Sequence, residues 1–239
     1  MNKTVLITGA AARIGSVIAD TLVRAGWNAV IHSRRDDGRA ECLCECLRAL
    51  GREVRAVFGD LFPSDGPDAV FDAALAAAGD IHAVVNNAAM FARQPLAKAS
   101  PEDFDLFWRV NALAPFRLTQ RLAAHLAARD SRGCVVNMLD QRIAGVSVGA
   151  TPYTLSKQVL ASFTLSAARE FAPSLRVNAV APGAVLPPSV PESREPAGAF
   201  PLANPPAARD VAEAVLYLLG ADAVTGQIIY VDSGQHLAT

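Results

Sequence analysis

Two residues in the second half of the chain have the types and spacing needed for acid–base chemistry. Tyr153 and Lys157 are four residues apart in a segment with helical periodicity, so they are expected on one helix face, one turn apart. A phenol has an ordinary pKa near ~10 and is a weak proton donor or acceptor at neutral pH, but a nearby ammonium group stabilises its anion. The spacing predicts a Tyr–Lys pair that moves a proton. The alternative is an ordinary exposed Tyr and Lys on a helix.

A glycine-rich turn near the start of the chain has the pattern of a phosphate-binding loop. The segment TGAAARIG follows a short apolar run and leads into a helical pattern, with Gly9 and Gly15 placed to let the backbone approach a pyrophosphate. Arg13 stands where a middle glycine often sits, and its planar guanidinium suits either a phosphate or a group in the substrate cleft. Spaced glycines can also be purely structural. The turn predicts a dinucleotide cofactor.

The end of the second predicted strand indicates which dinucleotide to expect. An acidic residue there would accept a hydrogen bond from the ribose 2′-hydroxyl of NAD, but residues 32–35 read HSRR. A hydroxyl and guanidinium groups suit a 2′-phosphate. Asp36 and Asp37 lie at about the spacing expected for an NAD-selecting acid, but they follow the end of the strand. The sequence therefore favours NADPH.

The elements that position these residues alternate between short β-branched runs and longer helical patterns, which predicts βαβ units. The expected fold class is α/β, with a Rossmann-type, doubly wound parallel sheet of seven strands and helices on both faces. We predict a single domain over residues 1–239 and two long helices, from Ser100 to about Ala128 and from Thr151 to about Phe171. The strands are predicted at Val5 to Thr8, Ala29 to His32, Val54 to Phe58, Ala83 to Asn86, Cys134 to Met138, Arg176 to Val180 and Ile228 to Val231.

A long stretch near the end of the chain lacks this periodicity. Between Pro182 and Pro206 the composition changes to proline, glycine and alanine. Long loops in compact domains are usually functional, and ligands of open α/β sheets bind at the carboxyl edge of the strands. A substrate loop over about residues 183–206 is therefore predicted, with a variable surface loop as the alternative.

Composition excludes several classes of partner. The 22 basic and 23 acidic residues are spread along the chain and give a net charge of −1, so no basic patch for nucleic acid is visible. No apolar run is long enough for a membrane span. Cys42, Cys44 and Cys46 fan around a predicted helix at a spacing unlike that of zinc sites, so no metal is expected. We expect a cytoplasmic protein that acts on a small molecule.

Taken together, the motifs resemble those of the short-chain dehydrogenase/reductase family, and the resemblance covers the whole chain. Besides TGAAARIG they include NNAA at residues 86–89, YTLSK at 153–157 and PG at 182–183. The resemblance implies that Asp60 meets the adenine, Asn86 steadies the central strand and Asn111 holds a proton-relay water. It further implies that Lys157 also grips the nicotinamide ribose, and that a homotetramer forms through the two long helices. The residues expected to bind the cofactor are Gly9, Arg13, Ile14, Gly15, His32, Ser33, Arg34, Asp60, Leu61, Asn87, Ala88, Lys157, Pro182 and Gly183.

One position departs from the family pattern. The family usually has a serine thirteen residues before the tyrosine, and here that residue is Asp140. In this respect the chain is similar to the pteridine reductase branch, which also has an arginine like Arg13 in the glycine turn and an aromatic like Phe91 after NNA. In those relatives the aromatic ring and the nicotinamide sandwich the pterin. The resemblance thus implies a catalytic set of Tyr153, Lys157, Asp140 and Asn111, and a substrate site of Arg13, Phe91, Asp140 and Tyr153.

The chemistry of a pteridine is compatible with these residues. A flat, nitrogen-rich ring is well served by stacking on Phe91 and by an acid that faces its nitrogens. Reducing a C=N bond needs a hydride at carbon and a proton at nitrogen. An aspartate in a partly desolvated cleft is expected to have a raised pKa, so Asp140 could give that proton directly or through Tyr153. Alternatively, Asp140 caps local backbone amides and Phe91 is ordinary core.

Three functions are therefore weighed. The favoured one is NADPH-dependent reduction of a pteridine such as a dihydropterin, biopterin or dihydrofolate. The second is reduction of a carbonyl, such as a 3-oxoacyl thioester or a sugar-like ketone, although a carbonyl reductase normally has a neutral hydroxyl beside the substrate oxygen. The third is a non-catalytic NADPH-binding regulatory protein, against which the intact proton-transfer residues argue.

Overall fold

The computed structural model describes residues 3–145, 148–186 and 200–238, and within them seven parallel strands form one sheet. The strand order is β3-β2-β1-β4-β5-β6-β7, and every neighbouring pair is parallel. This confirms the predicted α/β, Rossmann-type fold, and each predicted strand overlaps an observed one. The strands are β1 (Thr4–Ile7), β2 (Asn28–Ser33), β3 (Val54–Phe58), β4 (Ala83–Asn86), β5 (Gly133–Met138), β6 (Leu175–Pro182) and β7 (Ile228–Val231).

Helices cover both faces of this sheet. The side chains of β1 alternate between the faces: Val5 and Ile7 belong to the apolar cluster under α1 and α7, whereas Leu6 belongs to the cluster under α3 and α5. A central strand that is buried on both faces has apolar side chains on both, as the VLI run of β1 and the AVV run of β4 do. The helices are α1 (Arg13–Arg24), α2 (Arg39–Arg48), α3 (Gly66–Ala78), α4 (Pro101–Trp108), α5 (Ala114–Ala127), α6 (Thr151–Glu170) and α7 (Ala208–Gly220).

The strand order creates a crevice at the carboxyl edge of the sheet. Connections run from β1 outward to β2 and β3 on one side, and from β4 outward to β5, β6 and β7 on the other. The segments that leave β1 and β4 therefore separate to opposite sides, and ligands of open α/β sheets bind in the crevice that results. The glycine turn follows β1 and the Asp140 segment follows β5, so both lie at this edge.

The first of the two predicted long helices is interrupted, and the prediction of one continuous helix is wrong at this point. Ser100 caps α4 as expected: its hydroxyl accepts a hydrogen bond from the Asp103 N–H, and the Asp103 carboxylate accepts one from the Ser100 N–H. A π-helical turn over Arg109–Leu113 then separates α4 from α5. Periodicity cannot reveal one extra residue in a turn, and such turns often occur at functional sites.

A buried chain of polar side chains ties β4, β5 and α6 together. The Asn86 Nδ2 donates to the Asn137 Oδ1 at 2.8 Å, and the Asn137 Nδ2 donates to the Thr164 Oγ1 at 2.9 Å. All three side chains are buried, where a lost hydrogen bond leaves its partner unsatisfied. Asn86 thus steadies the central part of the sheet, in the way that the resemblance implied.

Other predictions concern segments outside the crevice. In the described ranges no helix has the length and apolar character needed to cross a membrane, and no cluster of His, Cys, Asp and Glu could hold a metal ion. Cys42 and Cys46 are exposed on α2, whereas Cys44 is buried and burial raises its pKa to about 11. Most of the predicted substrate loop, residues 187–199, lies outside the described residues.

Candidate active site

Tyr153 lies in the first turn of α6, where its side chain faces the end of β5. Its hydroxyl donates a hydrogen bond to the Asp140 Oδ2 at 2.9 Å, and the residue is only 6% exposed. Burial, followed by the charge of Asp140, raises the pKa of the phenol well above its ordinary value, while the charge of Arg142 acts in the opposite direction. In this state Tyr153 is a neutral hydrogen-bond donor.

Lys157 lies one turn further along the same face of α6. Its ammonium group donates a hydrogen bond to the Met138 carbonyl oxygen at 2.7 Å, and the residue is 2% exposed. Burial lowers the pKa of Lys157 to about 8, although the charge of Asp140 opposes this effect. The structure therefore brings the phenol, the ammonium group and Asp140 together at the carboxyl end of β5.

Asp140 caps local backbone, which was one of its two predicted roles, and it also contacts Tyr153. Its Oδ1 accepts a hydrogen bond from the Arg142 backbone N–H at 2.9 Å and thereby caps the short 3-10 turn Gln141–Ala144. Its Oδ2 accepts from the Tyr153 hydroxyl. The Arg142 Nη1 also donates to both carboxylate oxygens, at 3.1 and 3.0 Å. Each of these partners donates, so Asp140 is a hydrogen-bond acceptor here; proton donation by Asp140 stays a prediction.

Arg142 was missed in the sequence analysis, although a signal for it existed. An aspartate at the start of a turn commonly accepts a hydrogen bond from the backbone two residues later, and the side chain at that later position can then fold back onto the carboxylate. A DxR pattern directly after a buried strand would have indicated this pair.

Phe91 forms an aromatic wall beside Tyr153. The two ring centroids are 4.8 Å apart and the rings are nearly perpendicular, in an edge-to-face arrangement. Phe91 is 44% exposed, so the interpretation of this ring as ordinary core is wrong. The Arg142 guanidinium lies over the same ring, 5.6 Å from its centroid.

Asn111 occupies the π-helical turn and is fully buried. Its Oδ1 accepts from the Met90 N–H at 2.8 Å, and its Nδ2 donates to the Met90 carbonyl oxygen and to the Ser156 Oγ, each at 3.0 Å. Ser156 in turn donates to the carbonyl oxygen of Tyr153 at 2.6 Å. The side chain therefore holds the segment after β4 against α6. The proton-relay role expected for Asn111 stays a prediction.

The glycine turn is closely packed against the segment that follows β4. Gly9 has a φ of +61°, which favours glycine, and a Cβ on Gly15 would lie 2.5 Å from the Gly9 carbonyl oxygen. The Asn87 Nδ2 donates to the carbonyl oxygens of Thr8 and Gly9 at 2.9 and 3.0 Å, which holds the turn closed. The two glycines thus let the turn pack closely against itself and against Asn87 and Ala88.

The start of α1 suits an anion. The helix begins at Arg13 without a side-chain cap and with no acidic residue in its first turn, so the helix dipole is not already neutralised by a carboxylate. Arg13 itself has a φ of +56°, an uncommon conformation for a residue with a side chain. The predicted site therefore fits the pyrophosphate of a dinucleotide. A contact of Arg13 with the phosphate or with the substrate stays a prediction.

His32 has a role different from the predicted cofactor contact. The residue is buried; its Nδ1 accepts from the Gly9 N–H at 3.2 Å, and its Nε2 donates to the Gly59 carbonyl oxygen at 3.0 Å. Burial lowers the pKa of the imidazole, which favours the neutral ring. Both ring nitrogens are used by the backbone, so His32 positions the glycine turn and is no longer expected to reach the cofactor itself.

The residues after β2 separate into two groups. Ser33 is half-buried and Arg34 exposed at the carboxyl end of the strand, where the 2′-phosphate is expected. Asp37 pairs with Arg39 at the start of α2, and the Asp36 carboxylate accepts from the Gly38 N–H at 3.4 Å. The two acids that complicated the prediction of NADPH thus contact the start of α2.

The remaining predicted cofactor residues follow the ends of other strands or the turn itself. They are Ile14, Asp60, Leu61, Ala88, Pro182 and Gly183. Asp60 is exposed after β3, and its Oδ1 accepts from the Phe62 N–H at 3.0 Å. Gly183 packs against Gln235, whose Oε1 accepts from the Ala184 N–H at 3.2 Å. Sequence reasoning missed Gln235, which lies in a turn after β7 without a motif of its own.

Similar proteins identify the family. A family model described as "Enoyl-(Acyl carrier protein) reductase" matches residues 9–236. The chain belongs to the short-chain dehydrogenase/reductase family. One relative, 3beta-hydroxysteroid dehydrogenase 1 of Eggerthella lenta, is 30% identical over 98% of this chain and 94% of its own length. The 3-oxoacyl-[acyl-carrier-protein] reductase FabG of Staphylococcus aureus is 27% identical over 99% of each chain.

Solved structures of the short-chain dehydrogenase/reductase family resemble the whole chain. FolM alternative dihydrofolate reductase 1 from Brucella canis, complexed with NADP, is 33% identical with a TM-score of 0.90, over 100% of this chain and 96% of that one. Acetoin dehydrogenase from Enterobacter cloacae is 28% identical with a TM-score of 0.91, over 100% and 97%. These matches confirm the predicted NAD(P)-dependent oxidoreductase class and its nicotinamide cofactor.

We predict that Lys157→Met makes the cofactor-free protein more stable at neutral pH while abolishing its activity. The folded state holds the Lys157 proton only to about pH 8, against an ordinary value of 10.5, because burial disfavours the charge. Below that pH the buried ammonium group destabilises the fold. The gain should be ~1–3 kcal/mol in the free energy of unfolding, reduced by the hydrogen bond lost at Met138.

The sign of the pH dependence provides the check. Between about pH 8 and 10.5 the unfolded chain binds more protons than the folded one, so the wild type gains stability relative to Lys157→Met as the pH rises. Urea unfolding at pH 7 and in that window measures the difference, with exposed Lys98→Met as the matched control. A variant that is less stable than the wild type at both pH values would contradict the prediction.

Proposed function

We propose that this chain is an NADPH-dependent reductase that transfers hydride to a C=N bond of a pteridine. The observation that carries the proposal is the hydrogen bond from the Tyr153 hydroxyl to the Asp140 carboxylate at 2.9 Å, beside the exposed ring of Phe91. A flat heteroaromatic substrate can stack on that ring while its polar edge meets the acid and the phenol.

The protein's part in the proposed reaction is proton delivery. NADPH supplies the hydride to the ring carbon when it is bound. Tyr153 donates its phenolic proton to the ring nitrogen, and Lys157 stabilises the phenolate that this leaves behind. Asp140 lies within hydrogen-bonding distance of the same phenol and so lies on the path by which a proton from solvent would return to it. The product is the dihydro or tetrahydro pteridine, and the site regains its proton.

Similarity supports this substrate class. The two FolM structures, from Brucella canis and Brucella suis, are named alternative dihydrofolate reductases and are 33% and 32% identical to this chain. Dihydrofolate contains a reduced pteridine ring with a remaining C=N bond. The proposal extends that named activity to the present chain on the basis of Asp140 and Phe91.

A carbonyl reductase is the second candidate, and specific relatives favour it. FabG is named a 3-oxoacyl-[acyl-carrier-protein] reductase, and the Eggerthella lenta relative a 3beta-hydroxysteroid dehydrogenase. A carboxylate paired with Arg142 cannot donate the hydrogen bond that a serine hydroxyl gives to the developing alkoxide, so Asp140 weighs against this candidate. The non-catalytic alternative lacks a comparable observation.

The experiment that separates these functions measures NADPH oxidation with dihydrofolate, dihydrobiopterin, biopterin and an acetoacetyl thioester. We predict turnover of at least one pteridine, and a loss of about 100-fold or more in its kcat/KM in Asp140→Ser, because serine lacks the carboxylate that accepts the Tyr153 hydrogen bond and lies on the path by which the proton of Tyr153 returns. A pteridine-inactive wild type whose Asp140→Ser variant gains thioester turnover would instead support the carbonyl reductase.

We infer that NADPH is preferred over NADH. Arg34 is exposed at the end of β2, and no ion pair involving it occurs among the described residues. The neighbouring acid Asp37 is paired with Arg39. A guanidinium is therefore available to a 2′-phosphate, and the negative charge that would oppose it is partly neutralised.

Replacement of Arg34 by glutamine tests the cofactor preference. The KM for NADPH should rise by about ten-fold, equivalent to ~1.4 kcal/mol, because one charge-assisted contact to phosphate is lost. The KM for NADH, which lacks the phosphate, should stay nearly unchanged and is the internal control. Steady-state kinetics with both cofactors measures this, and equal effects on the two KM values would remove Arg34 from the phosphate site.

A homotetramer in the cytoplasm is proposed for the assembled protein. Large apolar side chains are exposed along α4 and α6, including Trp108 at 45% and Leu155 at 44%, and they line a shared cleft. Contiguous apolar surface of this kind is typical of interfaces between subunits. A second copy of the same helices would cover it.

Light scattering tests this assembly. The wild type should have a mass of about 100 kDa, four times the 25.1 kDa of one chain. Trp108→Glu should dissociate it because a charge would be buried at the interface. Leu50→Glu, at an exposed apolar residue of the α2 end, is the matched control and should leave the mass unchanged. A monomeric wild type would refute the proposal.

A further inference from the structure

Arg142 contacts both the acid and the aromatic wall of the site. Its backbone N–H and its Nη1 together give Asp140 three hydrogen bonds, at 2.9, 3.0 and 3.1 Å. The guanidinium carbon lies 5.6 Å from the centroid of Phe91. Its guanidinium therefore has contacts on two sides, with the carboxylate of Asp140 and with the ring of Phe91.

The charges in this cluster are poorly screened by water. The side chains of Asp140 and Arg142 are 15% and 20% exposed, and the Tyr153 hydroxyl that shares the carboxylate is buried. In such surroundings an unpaired charge acts strongly on neighbouring groups, whereas the opposite charges of a paired carboxylate and guanidinium largely cancel. The balance between Asp140 and Arg142 thus controls the electrostatic surroundings of the phenol.

The chemistry of reduction makes this balance important. When hydride reaches the substrate, negative charge develops on the atom that takes the proton from Tyr153. An uncompensated Asp140 would repel that charge and would also hold the phenolic proton more strongly. Arg142 opposes both effects, and its charge acts on the pKa of Tyr153 in the direction opposite to that of Asp140.

We propose that Arg142 is a positioning residue of the reductase: it neutralises the charge of Asp140, and through that carboxylate it orients the hydroxyl of Tyr153 for proton transfer. The Asp140–Arg142 pair, and not the carboxylate alone, thereby occupies the position at which the family usually has a neutral serine. Arg142 itself need not touch the reacting atoms. The kinetic consequence of this role rests on the proposed function, whereas the structural consequence for Tyr153 does not.

A spectroscopic double-mutant cycle tests the proposal without substrate. Protein labelled with 13C at the tyrosine ζ carbon gives one signal each for Tyr153, Tyr217 and Tyr230, and the Tyr153→Phe variant assigns the first. Arg142→Gln should shift the Tyr153 signal because its hydroxyl then faces an uncompensated carboxylate, while the other two signals stay in place and report an intact fold. In an Asp140→Asn background the same change should have almost no effect, because the residue it acts through is neutral.

Two further variants make the result specific. Arg142→Lys keeps a positive charge and should retain part of the wild-type signal position, which a packing effect on Phe91 alone would not explain. Arg24→Gln breaks an exposed pair with Asp20 on α1 and is the matched control. An unchanged Tyr153 signal in Arg142→Gln, or an equal shift in the Asp140→Asn background, would overturn the proposal.

Kinetics with dihydrofolate provides the second readout. Arg142→Gln should lower kcat by about ten-fold or more, as expected for the loss of a charge-assisted hydrogen bond, and should leave the KM for NADPH unchanged. An unchanged kcat would overturn the kinetic role. A wild type that reduces no pteridine would refute the proposed function, and the 13C signals would still decide whether Arg142 acts on Tyr153.

Discussion

The hydroxyl of Tyr153 and the carboxylate of Asp140 meet where little water reaches them, and this contact constrains the surrounding structure. A phenol that donates to a carboxylate in a dry environment needs its partner to be held firmly, since an unpaired acid would destabilise the site. Asp140 is held by the end of β5 and by the 3-10 turn that it caps. Tyr153 is held by α6, which the chain of polar side chains from β4 and β5 fixes against the sheet.

The glycine turn after β1 is likewise held in place by side chains of neighbouring segments. His32 and Asn87 hold the backbone of Gly9 from two sides: the His32 Nδ1 accepts from the Gly9 N–H, and the Asn87 Nδ2 donates to the Gly9 carbonyl oxygen. The turn is therefore defined by hydrogen bonds from two neighbouring strands before any ligand arrives. A preorganised backbone loses less conformational entropy on binding, which favours affinity for the anionic part of the cofactor.

Sequence reasoning was most successful where periodicity or a motif reports a backbone requirement. The strands were found because those of a parallel sheet are buried on both faces, and the Tyr–Lys pair because a helix brings residues four apart together. It failed where tertiary contacts determine the role of a side chain. Nothing in the local sequence shows that His32 is bound on both ring nitrogens, and the DxR pattern after β5 does not show that Arg142 also lies over Phe91. The choice of substrate depends on the shape of the pocket, which cannot be derived from one sequence.

The π-helical turn at Arg109–Leu113 sets the angular phase between two helices that would otherwise be one. Successive residues of an α-helix are about 100° apart around its axis, so one surplus residue rotates everything beyond it by roughly that amount. The surplus lets α4 turn its apolar side outward while α5 turns its own toward the sheet, with Asn111 at the join. Loss of a single residue from this turn would preserve a smooth helix and yet misalign one of these two surfaces.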